Sequence, residues 1–195
     1  MTNAPAEGVR PAPGHQPALT RVVVSGSEST GKTTLAMALA LTLRSRWVPE
    51  YSRSYAESVH RPLTADDVAP IARGQIAAEE AAYASWCAER VPGVTAPPLV
   101  LDTDLVSTVV YATHYYGSCP PWLVNAAGDR LGELYLLCAP DLPWQADGVR
   151  DQPDARTRVH LAFRERLRFY GARVVSVEGV GPLRLEAAVV GLQST

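Results

Sequence analysis

The chain has 195 residues, of which 47% are hydrophobic and 19% charged, and its formal net charge at pH 7 is −2. This length and composition predict a globular domain with a substantial core and argue against a disordered chain. The weak negative charge argues against a surface that coats nucleic acid, and no apolar stretch is long enough to span a bilayer. The N-terminus also lacks the pattern of a signal peptide, so we expect a cytoplasmic protein.

Two features of the composition concern the tail and the cysteines. Residues 1–19 are rich in Pro, Ala and Gly, so we predict a flexible N-terminal tail followed by one domain at residues 20–195. The three cysteines, Cys87, Cys119 and Cys138, are far apart and form no C-x-x-C pair. We therefore expect each to be a small buried residue and not a metal ligand or half of a disulfide.

The first predicted elements are a strand, a glycine-rich loop and a helix. Val22–Val24 is a β-branched run, and residues 26–33 (GSESTGKT) fit the phosphate-binding pattern G-x-x-x-x-G-K-[ST]. The glycines let backbone N–H groups face a polyphosphate, and the following helix adds its positive end. Lys32 is expected on the outer phosphates and the Thr33 hydroxyl on Mg²⁺. The predicted nucleotide-binding residues here are Gly26, Ser29, Thr30, Gly31, Lys32, Thr33 and Thr34.

Lys32 is the single lysine of the chain, because the other 17 of its 18 basic residues are arginines. A compact ammonium suits a place among phosphates better than a guanidinium does. The single lysine also excludes the Asn-Lys-x-Asp guanine motif, which argues against a GTPase-like switch.

Residues 46–50 predict a second short strand, and a helix is expected to begin at Tyr51. Ligands of α/β sheets lie beyond the carboxyl ends of the strands, so Glu50 is expected on the same edge as the glycine-rich loop, with Arg53 one turn further on. The alternative for Glu50 is an acid that merely favours a helix N-terminus. A packing helix is predicted from Thr64 to about Arg90, with Arg73 and Gln75 as weaker site candidates.

A third strand, residues 98–102, ends in Asp102, followed by Thr103 and Asp104. A carboxylate at this strand end can hold Mg²⁺ through its water shell, so Asp102 is the predicted metal ligand. Asp104, two residues later, is expected either to face substrate or to cap the next helix.

The C-terminal half alternates helices and strands. Helices are predicted at 105–116, from about 120, at 153–170 and at 182–192, and strands at 134–138 and 174–177. Five strands that alternate with helices indicate a doubly wound parallel α/β sheet. A proline-containing loop after the fourth strand leads to Arg150, Arg156 and Arg158, which we interpret as a lid.

Together these parts indicate an α/β, P-loop kinase-like three-layer sandwich with a five-stranded parallel sheet and an arginine-bearing lid. Phosphoryl transfer from ATP needs a cation on the phosphates, a base for the acceptor hydroxyl and further cations as the bond breaks. The predicted catalytic residues are Lys32, Glu50, Arg150 and Arg156, with Arg158 facing the nucleotide.

Residues 26–35, 48–53, 101–104, 111–117 and 140–150 together resemble the ribosylnicotinamide kinase domain of the NadR family. The resemblance implies ATP-dependent phosphorylation of nicotinamide riboside at its 5′-hydroxyl, which gives nicotinamide mononucleotide in NAD salvage. It also implies that Glu50 is the base or hydroxyl anchor, Asp102 the Mg²⁺ acid and Arg150 part of the lid. The sequence lacks the adenylyltransferase domain that precedes the kinase in full-length family members, so we expect the mononucleotide as product. A functional link to a nicotinamide riboside permease is implied as well.

Nicotinamide riboside carries a pyridinium cation, which acids and aromatic rings can bind by charge and cation–π contact. The predicted substrate-binding residues are Glu50, Tyr51, Arg53, Tyr55, Asp104, Trp122, Trp144 and Asp147. The alternative for any one of the aromatic residues is ordinary core packing.

Two other functions stay open from the sequence. One is a P-loop kinase for another nucleoside or vitamin-like molecule, and the other is a nucleotide-binding regulatory ATPase. The sequence does not predict the oligomeric state or the residues that bind the adenine.

Overall fold

Five parallel strands form the sheet at the centre of the part of the chain described by a computed structural model, residues 20–144 and 155–194. The strands are β1 (Arg21–Ser25), β2 (Trp47–Val48), β3 (Leu99–Asp102), β4 (Leu134–Cys138) and β5 (Val174–Val177), in the spatial order β2-β3-β1-β4-β5. β1 pairs with β3 on one side and β4 on the other. The loop that follows β1 therefore leaves the middle of the sheet, and the predicted parallel α/β architecture is confirmed.

Seven α-helices and one 3₁₀ turn lie in the described ranges. The helices are α1 (Lys32–Leu43), α2 (Tyr51–Val59), α3 (Val68–Ala88), α4 (Leu105–Tyr116), α5 (Pro121–Asp129), α6 (Arg156–Phe169) and α7 (Pro182–Gln193), and the 3₁₀ turn is Ala65–Asp67.

The side chains of β1 alternate between two cores, as expected for a strand that is covered on both faces. Val22 and Val24 pack with Leu35 and Leu39 of α1, and α7 closes the same layer through Ala188. Val23 faces the opposite layer, which is built mainly from α3, α4, α5 and α6. The result is the three-layer sandwich that the sequence predicted.

The predicted long helix after Thr64 is divided in the structure. Thr64 and Asp67 form a capping box that opens the 3₁₀ turn, and α3 then begins at Val68. Pro70 is the third residue of α3, within the first turn, where a missing N–H breaks no intrahelical hydrogen bond.

Three other sequence-based expectations have separate outcomes. The predicted start of a helix at residue 153 lies outside the described residues, within which α6 begins at Arg156. The predicted tail, residues 1–19, also lies outside them. Cys138 is buried and Cys119 partly buried, but Cys87 is exposed, because it lies near the solvent-facing end of α3.

No helix of the described residues is both long and apolar enough to cross a membrane.

Candidate active site

The loop between β1 and α1 has the backbone geometry of a phosphate cradle. Gly26 has φ 144°, Ser29 φ 52° and Gly31 φ 74°, so three of its residues adopt positive φ. A Cβ on Gly26 would lie 2.9 Å from the carbonyl oxygen of Cys138, so this position also requires glycine on steric grounds. Lys32 donates to the carbonyl of Ser27 at 2.8 Å, which places its ammonium inside the loop. These features agree with the predicted phosphate-binding loop.

Thr33 and Asp102, the two predicted metal ligands, are brought together at the end of the sheet. The register of β1 and β3 pairs Val24 with Asp102, and the Thr33 side chain lies near enough to the Asp102 carboxylate to influence its pKa. Burial raises the pKa of Asp102 to about 6, the neighbouring Thr33 side chain opposes this shift, and the charge of nearby Glu50 adds to it. One buried oxygen of Asp102, Oδ1, has no hydrogen-bond partner among the described residues.

The Thr33 hydroxyl and the Asp102 carboxylate are suitable ligands for Mg²⁺. This cation is usually held by one or two protein ligands and otherwise by phosphates and water. No group of three or more His, Cys, Asp or Glu side chains that could hold a metal lies within residues 20–144 and 155–194. A cation bound by Thr33 and Asp102 would thus depend on the nucleotide for further ligands.

Thr103, directly after Asp102, has φ 68°, which is rare for a β-branched residue. Its backbone N–H donates to the carbonyl of Val24 at 2.9 Å, and its side chain is buried. This strained residue turns the chain out of β3 and lies on the wall of a pocket described below.

Glu50 is the N-cap residue of α2 and is held at its side chain by a neighbour. The Ser52 hydroxyl donates to Glu50 Oε1 at 2.6 Å. Glu50 and Arg53 line a wide groove that also contains the residues of the phosphate loop. Its cavity volume is about 710 Å³. The groove is lined by Ser29, Gly31, Lys32, Thr33, Thr34, Leu35, Ala38, Glu50, Arg53, Leu142, Pro143, Val180, Gly181, Pro182, Arg184 and Leu185.

The apolar end of this groove was not predicted from the sequence. Leu142 and Pro143 come from the loop after β4, whereas Val180 and Pro182 come from the loop after β5. Arg184, which is 4% exposed, connects these loops through an ion pair with Asp141 and hydrogen bonds to the carbonyls of Gly179 and Thr30. The two loops and the phosphate loop are therefore fixed to one another by a single guanidinium.

A second pocket, with a cavity volume of about 60 Å³, lies on the other side of Glu50. It is lined by Glu50, Ser52, Leu63, Thr64, Val68, Ile71, Gln75, Thr103, Ser107, Thr108, Tyr111, Ala112, Tyr115 and Tyr116. We call it the acceptor pocket and the first one the nucleotide groove. Among the residues that the structure describes, Glu50 is the one common to both linings.

Several predicted substrate-binding residues lie elsewhere. Asp104 accepts hydrogen bonds from the backbone N–H of Val106 and the phenol of Tyr135, so it caps α4 from inside the core and lines neither pocket. Its predicted contact with substrate is thereby corrected in favour of the capping alternative. Tyr55 donates to Asp67 at 2.8 Å, which joins α2 to the 3₁₀ turn.

The remaining predicted aromatic residues also do not line the acceptor pocket. The Tyr51 ring packs against Gly74 of α3, and Trp122 of α5 is 38% exposed with Arg73 over its ring. Trp144 lies beside Arg156, at 5.9 Å from the guanidinium carbon to the ring centroid. The aromatic wall of the pocket comes instead from Tyr111, Tyr115 and Tyr116 of α4. These three tyrosines lie in residues 111–117, one of the segments that resemble the NadR family, so the sequence contained an indication of their role.

Of the predicted lid, Arg156 and Arg158 are described. Arg156, which is 9% exposed, donates to the carbonyl of Leu142 at 2.9 Å and to that of Ser29 at 3.2 Å. It thus touches the phosphate loop directly. Arg158 is exposed on α6 and lines neither pocket. Arg150 and Asp147 lie outside the described residues.

The sequence of this chain is similar to that of known proteins. A family model described as an AAA domain, AAA_28, matches residues 21–183. The trifunctional NAD biosynthesis/regulator protein NadR of Escherichia coli (strain K12) is 30% identical over 131 residues, which cover 66% of this chain and 30% of that protein. The chain therefore spans less than a third of the length of this relative.

Solved structures of NadR proteins are similar over a larger part of the chain. The structure of a NadR protein in complex with NR has a TM-score of 0.74 and 26% identity, covering 91% of this chain and 50% of that one. A NadR structure in complex with NAD and AMP-PNP has a TM-score of 0.73 and 26% identity, covering 91% and 49%. With a family model matched over most of its length and a phosphate loop of the expected geometry, the chain belongs to the AAA_28 family of P-loop domains.

Proposed function

We propose that the chain transfers the terminal phosphoryl group of ATP, with Mg²⁺, to the 5′-hydroxyl of nicotinamide riboside. The observation that carries the proposal is the position of Glu50 in the wall shared by the nucleotide groove and the acceptor pocket. A carboxylate in that wall can accept the proton of a hydroxyl that enters from one side while a phosphate approaches from the other. The NadR structures with NR and with AMP-PNP support this pair of ligands.

On the nucleotide side, the residues of the phosphate loop bind and orient the transferred group. Backbone N–H groups and the N-terminus of α1 face the phosphates, and Lys32 can exchange its hydrogen bond to Ser27 for the outer phosphate oxygens. Thr33 and Asp102 would hold Mg²⁺. When bound, this cation neutralises the negative charge that the phosphate oxygens carry. Arg156 adds a fixed positive charge beside Ser29 of the loop.

On the acceptor side, the charge of the pocket favours a cationic substrate. Glu50 is the charged residue on its lining, and no Arg, Lys or His of the described residues is part of that lining. Tyr111, Tyr115 and Tyr116 supply aromatic surface, and Tyr115 also contacts the buried carboxylate of Glu28. A flat pyridinium ring attached to a sugar would meet both the negative charge and the aromatic faces that it prefers.

The proposal is tested by incubating the purified chain with ATP, Mg²⁺ and nicotinamide riboside and measuring both products, ADP and nicotinamide mononucleotide. We expect the two to appear in equal amounts and ADP release to depend on the acceptor. Lys32→Ala should abolish transfer, and Lys32→Arg should not restore it, because a planar guanidinium does not fit where a compact ammonium lies among phosphates.

Two outcomes would support the alternatives. Faster phosphorylation of the neutral nucleosides uridine or thymidine than of nicotinamide riboside would indicate a kinase for another nucleoside. Equal rates of ATP hydrolysis with and without every acceptor would indicate a regulatory ATPase and contradict the kinase proposal.

A further inference from the structure

Two adjacent residues of α3, Gly74 and Gln75, hold the first residue of α2. The Tyr51 ring lies so close to Gly74 that a Cβ there would be 2.0 Å from ring atom Cε1. Gln75, which is 3% exposed, accepts a hydrogen bond from the backbone N–H of Tyr51 at 3.0 Å. Both the ring and the backbone of Tyr51 are thus fixed against α3.

The N–H of Tyr51 belongs to the peptide unit that joins it to Glu50. Because a peptide unit is planar, an acceptor that fixes the direction of this N–H also fixes the carbonyl of Glu50 and therefore its ψ angle. The hydrogen bond from Ser52 then orients the Glu50 carboxylate on that backbone. Gln75 therefore fixes the backbone conformation of Glu50, whose carboxylate lies between the two pockets.

The orientation of Gln75 depends in turn on Glu79, one turn along the same helix. Gln75 Nε2 donates to Glu79 Oε1 at 2.9 Å. An amide has one accepting and one donating end, so a flipped Gln75 would turn its NH₂ group toward the Tyr51 N–H and its carbonyl toward the carboxyl. Glu79 is 4% exposed, so water does not compensate readily for such a mismatch.

Glu79 lines neither the nucleotide groove nor the acceptor pocket. Its surroundings are Asp104 at the start of α4, Arg130 after α5, Arg21 of β1 and Gln75 itself. Burial raises the pKa of Glu79 to about 7, and the charge of Asp104 acts in the same direction. The carboxyl accepts from Gln75 in either protonation state, because an uncharged carboxyl retains an accepting carbonyl oxygen.

We propose that Gln75 is a positioning residue for Glu50 and that Glu79 holds Gln75 in the orientation that this requires. The catalytic part of this inference rests on the proposed function, whereas the contact between Gln75 and the Tyr51 N–H does not. Gln75 acts through the backbone of Glu50, so its loss should lower turnover more than it weakens ATP binding.

The first test is kinetic and uses Gln75→Met, which keeps the length of the side chain and removes the accepting oxygen. We expect kcat to fall about 3- to 10-fold, as for the loss of one hydrogen bond, with the KM for ATP unchanged. In a Glu50→Gln background the same substitution should have little further effect, because the carboxylate that it positions is already absent. An equal loss of kcat in both backgrounds would overturn the proposal.

Two further variants test the remaining steps. Glu79→Leu should reproduce part of the loss of kcat, whereas Glu79→Gln, which retains an accepting end, should stay within about 2-fold of the wild type. The matched control is Ser85→Ala, which removes a side-chain hydrogen bond to Ala81 on the exposed face of α3 and should leave kcat unchanged.

The second test measures hydrogen exchange at the amide of Tyr51 and does not need the proposed activity. The first N–H groups of a helix have no partner within the helix, so protection of this amide reports on Gln75. We expect exchange about 3- to 10-fold faster in Gln75→Met than in the wild type. Unchanged exchange would overturn the positioning contact itself. Absence of phosphorylation by the wild type would instead contradict the proposed function while leaving the exchange result informative.

Discussion

The phenol of Tyr115, on the wall of the acceptor pocket, donates a 2.8 Å hydrogen bond to the carboxylate of Glu28 in the phosphate loop. Glu28 is 6% exposed and lies two residues after Gly26, within the phosphate loop. A residue of the acceptor pocket is therefore hydrogen-bonded directly to the phosphate loop.

Tyr115→Phe should weaken the binding of a non-hydrolysable ATP analogue, because it leaves a buried carboxylate of the loop without this donor. We expect an affinity about 3- to 10-fold lower by isothermal calorimetry, together with a loss of stability of about 1–2 kcal/mol. Tyr170→Phe is the matched control, since its phenol makes a hydrogen bond of the same length to the carbonyl of Val124. The control should lose stability without changing nucleotide affinity. Equal nucleotide affinities of Tyr115→Phe and the wild type would show that the contact is only structural.

Asp102→Asn should lower activity without lowering the stability of the fold. Because burial raises the pKa of Asp102, the folded state disfavours its charge, and the neutral amide removes that cost. We expect a free energy of unfolding at pH 7.5 that is unchanged or higher in the variant. Turnover should fall about 10- to 100-fold or more, and the Mg²⁺ concentration for half-maximal rate should rise.

The check is a titration of initial rate against Mg²⁺ for both proteins, beside urea unfolding. Asp66→Asn, which changes an exposed acid within the 3₁₀ turn, is the control and should alter neither curve. A variant with the Mg²⁺ dependence of the wild type would exclude Asp102 as the metal ligand.

Glu79→Gln should change how stability depends on pH. The pKa of Glu79 is about 7 in the folded chain against 4.5 for an unperturbed glutamate, so folding favours the protonated form. The stabilising contribution of Glu79 to folding is therefore intact below pH 4.5 and is lost as the pH rises through 7. The rise of the pKa from 4.5 to about 7 corresponds to about 3 kcal/mol of stability.

The measurement compares urea unfolding of wild type and Glu79→Gln between pH 4.5 and 8. Asp102 and Asp104 also have raised pKa values and are present in both proteins. Because Asp104 interacts with Glu79, the difference reports on the pair Glu79 and Asp104. We expect the variant to gain stability relative to the wild type as the pH rises. A difference that is constant over this range would show that folding does not raise the pKa of Glu79.

The parts of the site that the sequence predicted depend on local geometry. Residues 26–33 contain their own turn, glycines and helix start, so a pattern of eight residues specifies both the cradle and the place of Lys32. Asp102 and Glu50 followed from the rule that ligands lie beyond the carboxyl ends of parallel strands. Neither prediction required knowledge of which helices pack together.

The acceptor pocket depends on distant contacts and was predicted only in part. The i, i+2 spacing of Asp102 and Asp104 places two acids on one side only while the chain stays in a strand. Here β3 ends at Asp102, and the positive φ of Thr103 turns Asp104 into the core, where Tyr135 binds it. Which tyrosines face the pocket likewise depends on how α4 packs against α3, which no short pattern records.

The two arginines of α6 that were predicted as lid residues give a direct comparison. Arg156 is buried and donates to the carbonyls of Ser29 and Leu142, and its Nε has no hydrogen-bond partner among the described residues. Arg158, two residues later, is exposed and lines neither pocket. The same helix thus carries one arginine at the phosphate loop and one in solvent.

Arg156→Lys should lower turnover at least about 10-fold, because an ammonium cannot reach both carbonyls and keep a planar charge beside the transferred group. Arg158→Lys, with the same change of chemistry, should leave turnover and nucleotide affinity within about 2-fold of the wild type, as for an exposed charge. Single-turnover rates at saturating ATP separate this effect from nucleotide binding. If the two variants behaved alike, the contact of Arg156 with Ser29 would have no part in the reaction, and the positive charge required for transfer would have to come from Lys32 and Mg²⁺.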